Sequence, residues 1–268
     1  MATKILLKRA LGPTLGRTLN TAARLQPGAR RRKLILLYHS VGGGPWATPE
    51  AAFRRQMSWL ADHAKIVSLP QLLEDRLDHP FQAAVTFDDG YASLRDKALP
   101  ILRDVGATAS VFLNTGCLAD QSRNPSDLAL GHYPQEFFLS WRDIETLASE
   151  AWTIGAHGVD HIDLSAASAA SIEAQLCGSK AAIESRIGPA EFFAYPWGRH
   201  NEATRRAAKQ AGYRFALSCD HGPVGQGFDP WAAPRVNIAN DYSLSDFAAV
   251  ATGDWDYLGW VHKWGRRK

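Results

Sequence analysis

The strongest constraint in this 268-residue chain is a repeated alternation of short apolar runs with longer segments of helical periodicity. Apolar runs fall at 34–39, 65–69, 83–88, 108–113, 152–156, 191–195, 214–219 and 235–238. Several are continuous in Val, Ile, Leu, Phe and Ala, the pattern of strands buried on both faces. Between them lie helical patterns. In the first, Phe53, Met57, Leu60, Ala61 and Ala64 share a face, and others fall near 93–104, 141–149, 167–187, 201–211 and 243–251. Thr48 and Pro49 predict a cap and a pre-set first turn, and Ser140, Ser165 and Ser243 are expected caps. Repeated β–α alternation implies a mostly parallel sheet in an α/β fold. About eight strands in a chain of this size favour a closed or nearly closed barrel over an open sheet. The stretch 114–140 is too long for an ordinary strand-to-helix loop and reads as an insertion near the site.

Charge is unevenly spread. The chain carries 30 Lys+Arg against 27 Asp+Glu, a net +3. Residues 1–49 hold nine basic residues and no acid, and residues 262–268 hold four more. The body from 50 to 261 therefore has 17 basic residues against all 27 acidic ones, a balance of −10. An acidic body argues against nucleic acid as a partner. With 46% hydrophobic and 21% charged residues the composition is that of a globular protein. No apolar run approaches the roughly 18 residues of a membrane span. Cys117, Cys177 and Cys219 are odd in number and far apart, unlike a disulfide framework or a zinc ribbon.

The basic leader lacks the uninterrupted apolar stretch of a secretory signal, because Lys8 and Arg9 follow Ile5-Leu6-Leu7 directly. Leu7, Leu11, Leu15 and Leu19 recur every fourth residue. Two readings stay open: a solvated tail, or a basic amphipathic helix making peripheral contact with an anionic membrane. A cytoplasmic location, or one peripheral on the cytoplasmic face of the membrane, is the expectation.

In parallel α/β folds, ligands meet the carboxyl ends of the strands. The residues there are Tyr38-His39, Thr86-Phe87-Asp88-Asp89-Gly90, His157-Gly158-Val159-Asp160-His161, Tyr195-Pro196-Trp197-Gly198 and Arg235. Neighbouring side chains of an extended chain point opposite ways, so Asp88 and Asp89 are expected to face different groups. A nearby cation would let both stay ionised. Alone, the pair also reads as an Asx turn with a helix cap. Two histidines with one carboxylate leave open positions on a divalent metal. Alone, His157 and His161 also read as surface or core histidines.

Taken together, and in this order, these motifs resemble the polysaccharide deacetylases of carbohydrate esterase family four. The resemblance runs from Leu34 to about Ile238 and includes Phe138-Leu139-Ser140-Trp141. It implies a distorted (β/α) barrel of about seven or eight mostly parallel strands in a single domain. The expected boundaries are a basic extension at 1–33, a catalytic domain at 34–252 and an aromatic, basic tail at 253–268. The implied activity is metal-dependent removal of N- or O-linked acetyl groups from an acetylated polysaccharide or oligosaccharide. By matching position, Asp88 is the base, and Asp89, His157 and His161 bind a divalent metal, usually zinc, with cobalt, nickel or iron suited to the same donors. The metal would polarise the acetyl carbonyl and acidify its water, which is then the nucleophile. The Trp197 backbone N–H, in the Tyr195-Pro196-Trp197 turn, would hold the oxyanion. The Trp197 ring either lines the sugar pocket or simply packs.

The sequence departs from the family pattern twice. Ala194 stands where many members carry the arginine that orients the base. Arg235, on a late strand, is the candidate replacement; a surface salt bridge is its other reading. No late strand carries the usual acid histidine, and His262 lies in the tail. Some members carry that strand first, ending in Tyr-His, so His39 is the expected general acid, with a core histidine as its other reading. Asp220 and Asp229 are weak candidates for a carboxylate that tunes it. His132, His200 and His221 read as loop histidines, and Trp46 and Trp141, beside Trp197, lie near strand ends where a sugar could bind. Two other functions stay open: a C–N hydrolase of a small amide or ureide on the same barrel, and a catalytically silent carbohydrate-binding protein.

Overall fold

The computed structural model describes residues 31–44, 47–74, 79–120 and 136–259. Expectations for the leader up to residue 30, for Trp46, for His132 and positions 121–135 of the insertion, and for His262 lie outside the described residues. In chain order the strands are β1 Arg32–Tyr38, β2 Ser40–Val41, β3 Ala47–Thr48, β4 Lys65–Ile66, β5 Phe81–Phe87, β6 Ser110–Leu113, β7 Thr153–Ala156, β8 Phe192–Ala194, β9 Phe215–Leu217 and β10 Val236–Asn237. The α-helices are α1 Glu50–His63, α2 Leu69–Leu73, α3 Leu99–Asp104, α4 Trp141–Ser149, α5 Ala169–Glu184, α6 Glu202–Gln210 and α7 Leu244–Thr252.

All the sheet pairings are parallel, in the order β10-β1-β5-β6-β7-β8-β9, with β4 added beside β5. The result is a distorted (β/α) barrel, a curled sheet wrapped by helices. The longest pairing sets β1 against β5 from Arg32↔Phe81 to Tyr38↔Phe87. The two ends of the sheet approach through one segment. Ala233 bridges to Leu217 of β9, Ser218 donates to the Ala233 carbonyl, and three residues later Val236 pairs with Leu36 of β1. Among the described residues, no helix is long and apolar enough to cross a membrane.

The two-residue period of the strands divides the core in two. Leu34, Leu36, Ala83, Val85, Phe87, Val111, Leu113 and Phe193 pack outward with Phe53 and Leu60 of α1, Ile144 of α4, Leu176 of α5 and Phe247 of α7. Ile35, Ala84, Phe112, Ala194 and Leu217 form a second cluster on the other face of the same strands. Continuing that parity past the strand ends assigns His39 after β1 and Asp88 after β5 to this inner set.

Several local expectations are corrected. Ala61 is exposed, and Gln56 is buried on α1 instead, where it accepts the Tyr38 hydroxyl at 2.9 Å. Ser168, not Ser165, caps α5; Ser165 sits in a short 3-10 turn capped by Asp163. No side chain caps α1, because Thr48 belongs to β3 and Pro49 holds the cap position. Ser140 and Ser243 each form a full capping box. Trp141 is buried at the start of α4, with Arg186 over its ring, and serves packing.

At the ends, β1 begins at Arg32, inside the expected extension, and Arg32 binds the Ala251 and Val250 carbonyls and the Asp256 carboxylate. Trp255 and Leu258, in the expected tail, are buried in the main core.

Candidate active site and metal centre

The strand ends bring five candidate residues together. Asp88 continues the inner face of β5, and its backbone N–H donates to the Tyr38 carbonyl, which sets it beside the end of β1. Asp89 does not continue the extended chain: its φ is 72°, followed by Gly90 at 80°. This left-handed step is uncommon for a residue with a side chain, so the extended-chain reason for separating the two carboxylates does not apply, although Asp88 is held by Arg235 and Asp89 lies with the two histidines. Both approach His157 Nε2, Asp89 Oδ1 at 3.6 Å and Asp88 Oδ2 at 3.9 Å.

Arg235 grips Asp88 with both arms. Its Nη1 and Nη2 donate to Oδ1 and Oδ2 at 2.7 and 2.8 Å, and its Nε donates to the Ser218 carbonyl. The guanidinium is fully buried above the Phe112 ring. Burial alone would push the Asp88 carboxyl up. The Arg235 charge, helped by His157 and His39, outweighs it and holds the carboxyl below its ordinary value. This is a buried pair, not the surface salt bridge that was its alternative.

His157 follows β7. Its Nδ1 lies 2.7 Å from the Ala194 carbonyl, which can only accept, so Nδ1 carries a hydrogen and the ring is oriented with Nε2 toward the two carboxylates. His161 has a left-handed backbone, φ 51°. The turn between the two rings is held by Gln175, whose Oε1 accepts from Val159 N and Asp160 N while Nε2 donates to Asp160. Burial first, and then His157, lowers His161 to about 4, which leaves it neutral at pH 7.

Asp89, His157 and His161, all buried, offer donor atoms within 4.8 Å of one another, the one such group among the described residues. Asp89 Oδ1 lies 3.6 Å from Nε2 of each histidine. Donors about 2.0–2.2 Å from a tetrahedral ion lie about 3.3–3.6 Å apart, so the set fits a divalent metal with an open position. Asn114, after β6, donates to Asp89 Oδ1 at 3.1 Å and orients it.

Around this centre, the Trp197 ring meets His161 edge-on at 4.2 Å and is 48% exposed, so it forms an accessible wall. Pro196 is buried beneath it. The Tyr195 ring packs against Phe193 and its hydroxyl donates to the Trp231 carbonyl, so this side chain belongs to the core. His39 is half-buried and acts electrostatically on both Asp88 and His161.

Of the candidate carboxylates for tuning His39, Asp220 lies 3.6 Å from His200, and Asp229 pairs with Arg205. A carboxylate within electrostatic reach of His39 is Glu136, which sequence reasoning missed. It accepts from Ser40 Oγ at 3.0 Å and is within electrostatic reach of Asp89 as well. Asn114 was also missed, although its position after a strand was a usable signal.

Comparisons with known proteins bear on the family and the fold. A family model described as Polysaccharide deacetylase matches residues 78–216. YxkH of Bacillus subtilis (strain 168), whose name refers it to the same family, is 26% identical over 222 residues, 80% of this chain and 74% of its own. A poly-β-1,6-N-acetyl-D-glucosamine N-deacetylase of Staphylococcus aureus (strain N315) is 23% identical over 203 residues, 73% of this chain and 69% of its own. Among solved structures, the Streptococcus pyogenes deacetylase PplD superposes with a TM-score of 0.71 at 20% identity, covering 82% of this chain and 98% of that one. IcaB from Ammonifex degensii gives 0.71 at 22% identity, covering 83% and 97%.

Proposed function

Because the chain belongs to the polysaccharide deacetylase family, we propose that it is a metal-dependent hydrolase that removes acetyl groups from the sugars of a polymer. The observation that carries this reading is the buried Asp88–Arg235 pair set against the Asp89, His157 and His161 triad. One ionised carboxylate is reserved by an arginine, while the adjacent one turns to the two histidines.

Asp89, His157 and His161 would hold the metal, with zinc the first candidate. When bound, a divalent ion supplies Lewis acidity toward the acetyl carbonyl and lowers the pKa of water. Asp88, kept ionised by Arg235, accepts a proton from the attacking water. Arg235 fixes the direction of that carboxylate by its two-armed contact. The Trp197 N–H steadies the oxygen that gains charge. His39, within electrostatic reach of Asp88, delivers a proton to the departing amine or alcohol. The named activity of the staphylococcal relative makes N-acetylglucosamine polymers the first substrates to try.

The test is acetate release from N-acetylglucosamine oligomers, acetylated xylan and peptidoglycan fragments, with metal analysis of the same sample. Asp88→Asn should slow release by about 10²–10⁴-fold, and chelation should abolish it until metal is restored. Release that persists unchanged in Asp88→Asn would refute the mechanism, and activity confined to small cyclic amides would refute the substrate class.

A further inference from the structure

Helix α5 carries a polar residue where its periodicity calls for an apolar one. Gln175 shares the buried face with Ile172, Leu176 and Ile183 and is 7% exposed. A glutamine buried there is costly unless its amide is bonded. The amide turns to one target, the chain between the two histidines. Its Oε1 accepts from Val159 N at 2.7 Å and Asp160 N at 2.9 Å, and its Nε2 donates to Asp160 Oδ2 at 2.7 Å. Gly158 keeps the approach open: its φ is 91°, and a Cβ there would lie 3.0 Å from Gln175 Oε1. The carbonyls of Gly158 and Val159 are taken by Thr115 N and Gly116 N, just after β6.

The three donors of the proposed metal centre are not held alike. His157 is fixed through Nδ1 by the Ala194 carbonyl, and Asp89 Oδ1 by Asn114. His161 Nδ1 is closed off from solvent and has no hydrogen-bond partner among the described residues. A metal-binding imidazole ordinarily takes its direction from the bond made by its other nitrogen. His161 must take its direction from its backbone and from the Trp197 edge, and Trp197 is itself half exposed. The His161 backbone is left-handed, a conformation that persists only where the surroundings over-determine it. The N–H groups of the two residues before it are the ones that Gln175 holds.

We propose that Gln175 is the positioning residue for His161: from α5 it fixes the turn, and through the turn the direction of the third metal donor. The proposal rests on the metal-centre reading and deepens it, because the affinity for the ion is then set by a side chain that never touches it.

The experiment titrates zinc into the metal-free full chain by calorimetry, with the absorption of bound cobalt as a second readout. Gln175→Met keeps the length of the side chain and removes its three hydrogen bonds. It should weaken zinc binding about 10–100-fold and change the cobalt spectrum. Gln175→Glu combined with Asp160→Asn rebuilds all three bonds, the last with donor and acceptor exchanged, and should bind zinc as wild type does. Gln175→Glu alone keeps both backbone contacts but sets a carboxylate against Asp160, and should bind zinc about ten-fold more weakly than the combined variant. That comparison stands even where Gln175→Met does not fold. Wild-type affinity in Gln175→Met, or no difference between Gln175→Glu with and without Asp160→Asn, overturns the proposal while the metal centre stands. Failure of the parent reading looks different: wild type takes up no zinc, or His161→Ala takes up as much as wild type, and both readings then fall.

Discussion

Arg235 and Asp88 show what a single contact does in this centre. Both are almost wholly buried, so removing one partner leaves the other charged and unsolvated. Arg235→Met should destabilise the fold by about 3–5 kcal/mol, measured by denaturant unfolding. Lysine is a poor substitute because it lacks the planar two-armed donor. The pH dependence has a definite sign. The folded Asp88 carboxyl lies below its ordinary value, so its stabilising contribution is full above about pH 4, the unfolded range. It is lost as pH falls through the lower folded value. Without Arg235, burial dominates and the carboxyl rises, so the acid limb of kcat/KM should move to higher pH. An unmoved limb would mean that Arg235 does not set the ionisation of Asp88.

At the level of elements, the turn after β8 is tightly specified. Trp197 and Gly198 both have left-handed backbones, at φ 52° and 66°. A methyl group on Gly198 would lie 2.4 Å from Cys219 Cβ and 2.5 Å from its backbone nitrogen. Gly198→Ala should therefore cost about 1–3 kcal/mol in thermal stability and impair acetate release by shifting Trp197. Retained stability and rate would show that the turn yields. The sequence made the strands legible, because their apolar runs reflect burial on both faces, and with them the strand-end positions of Asp88, His157 and Arg235. The left-handed step at Asp89 was not legible, since nothing in Asp-Asp-Gly distinguishes it from an extended pair. Nor were β2 and β3, two-residue pieces that exist only because they pair with each other. Glu136 was hidden for a related reason. It meets Ser40 across 96 residues of chain, from the far end of the insertion rather than a strand end.

At the scale of the whole molecule, the uneven charge separates a basic leader from an acidic body. A chain starting at Arg31 keeps Arg32, which β1 and the C-terminal turn both use, and should retain full acetate release on a soluble oligosaccharide. The same truncation should lose binding to anionic phospholipid vesicles at low salt in a sedimentation assay, if the leader is what contacts them. A fall in turnover would make the leader part of the catalytic unit. The Arg32 contacts with Val250, Ala251 and Asp256 carry one more consequence. They bring β1 and the end of α7 with the turn after it to the same spot, while β1 lies between β10 and β5. This seam is therefore a place where the two described ends can be joined without changing the order of the strands. A circular permutant, with residue 259 linked to residue 31 by a short Gly-Ser tether and new ends in the exposed turn at 185–186, should fold to the same ring and bind its metal. Loss of cooperative unfolding in that permutant would show that the chain order through 185–186 is itself needed for the fold.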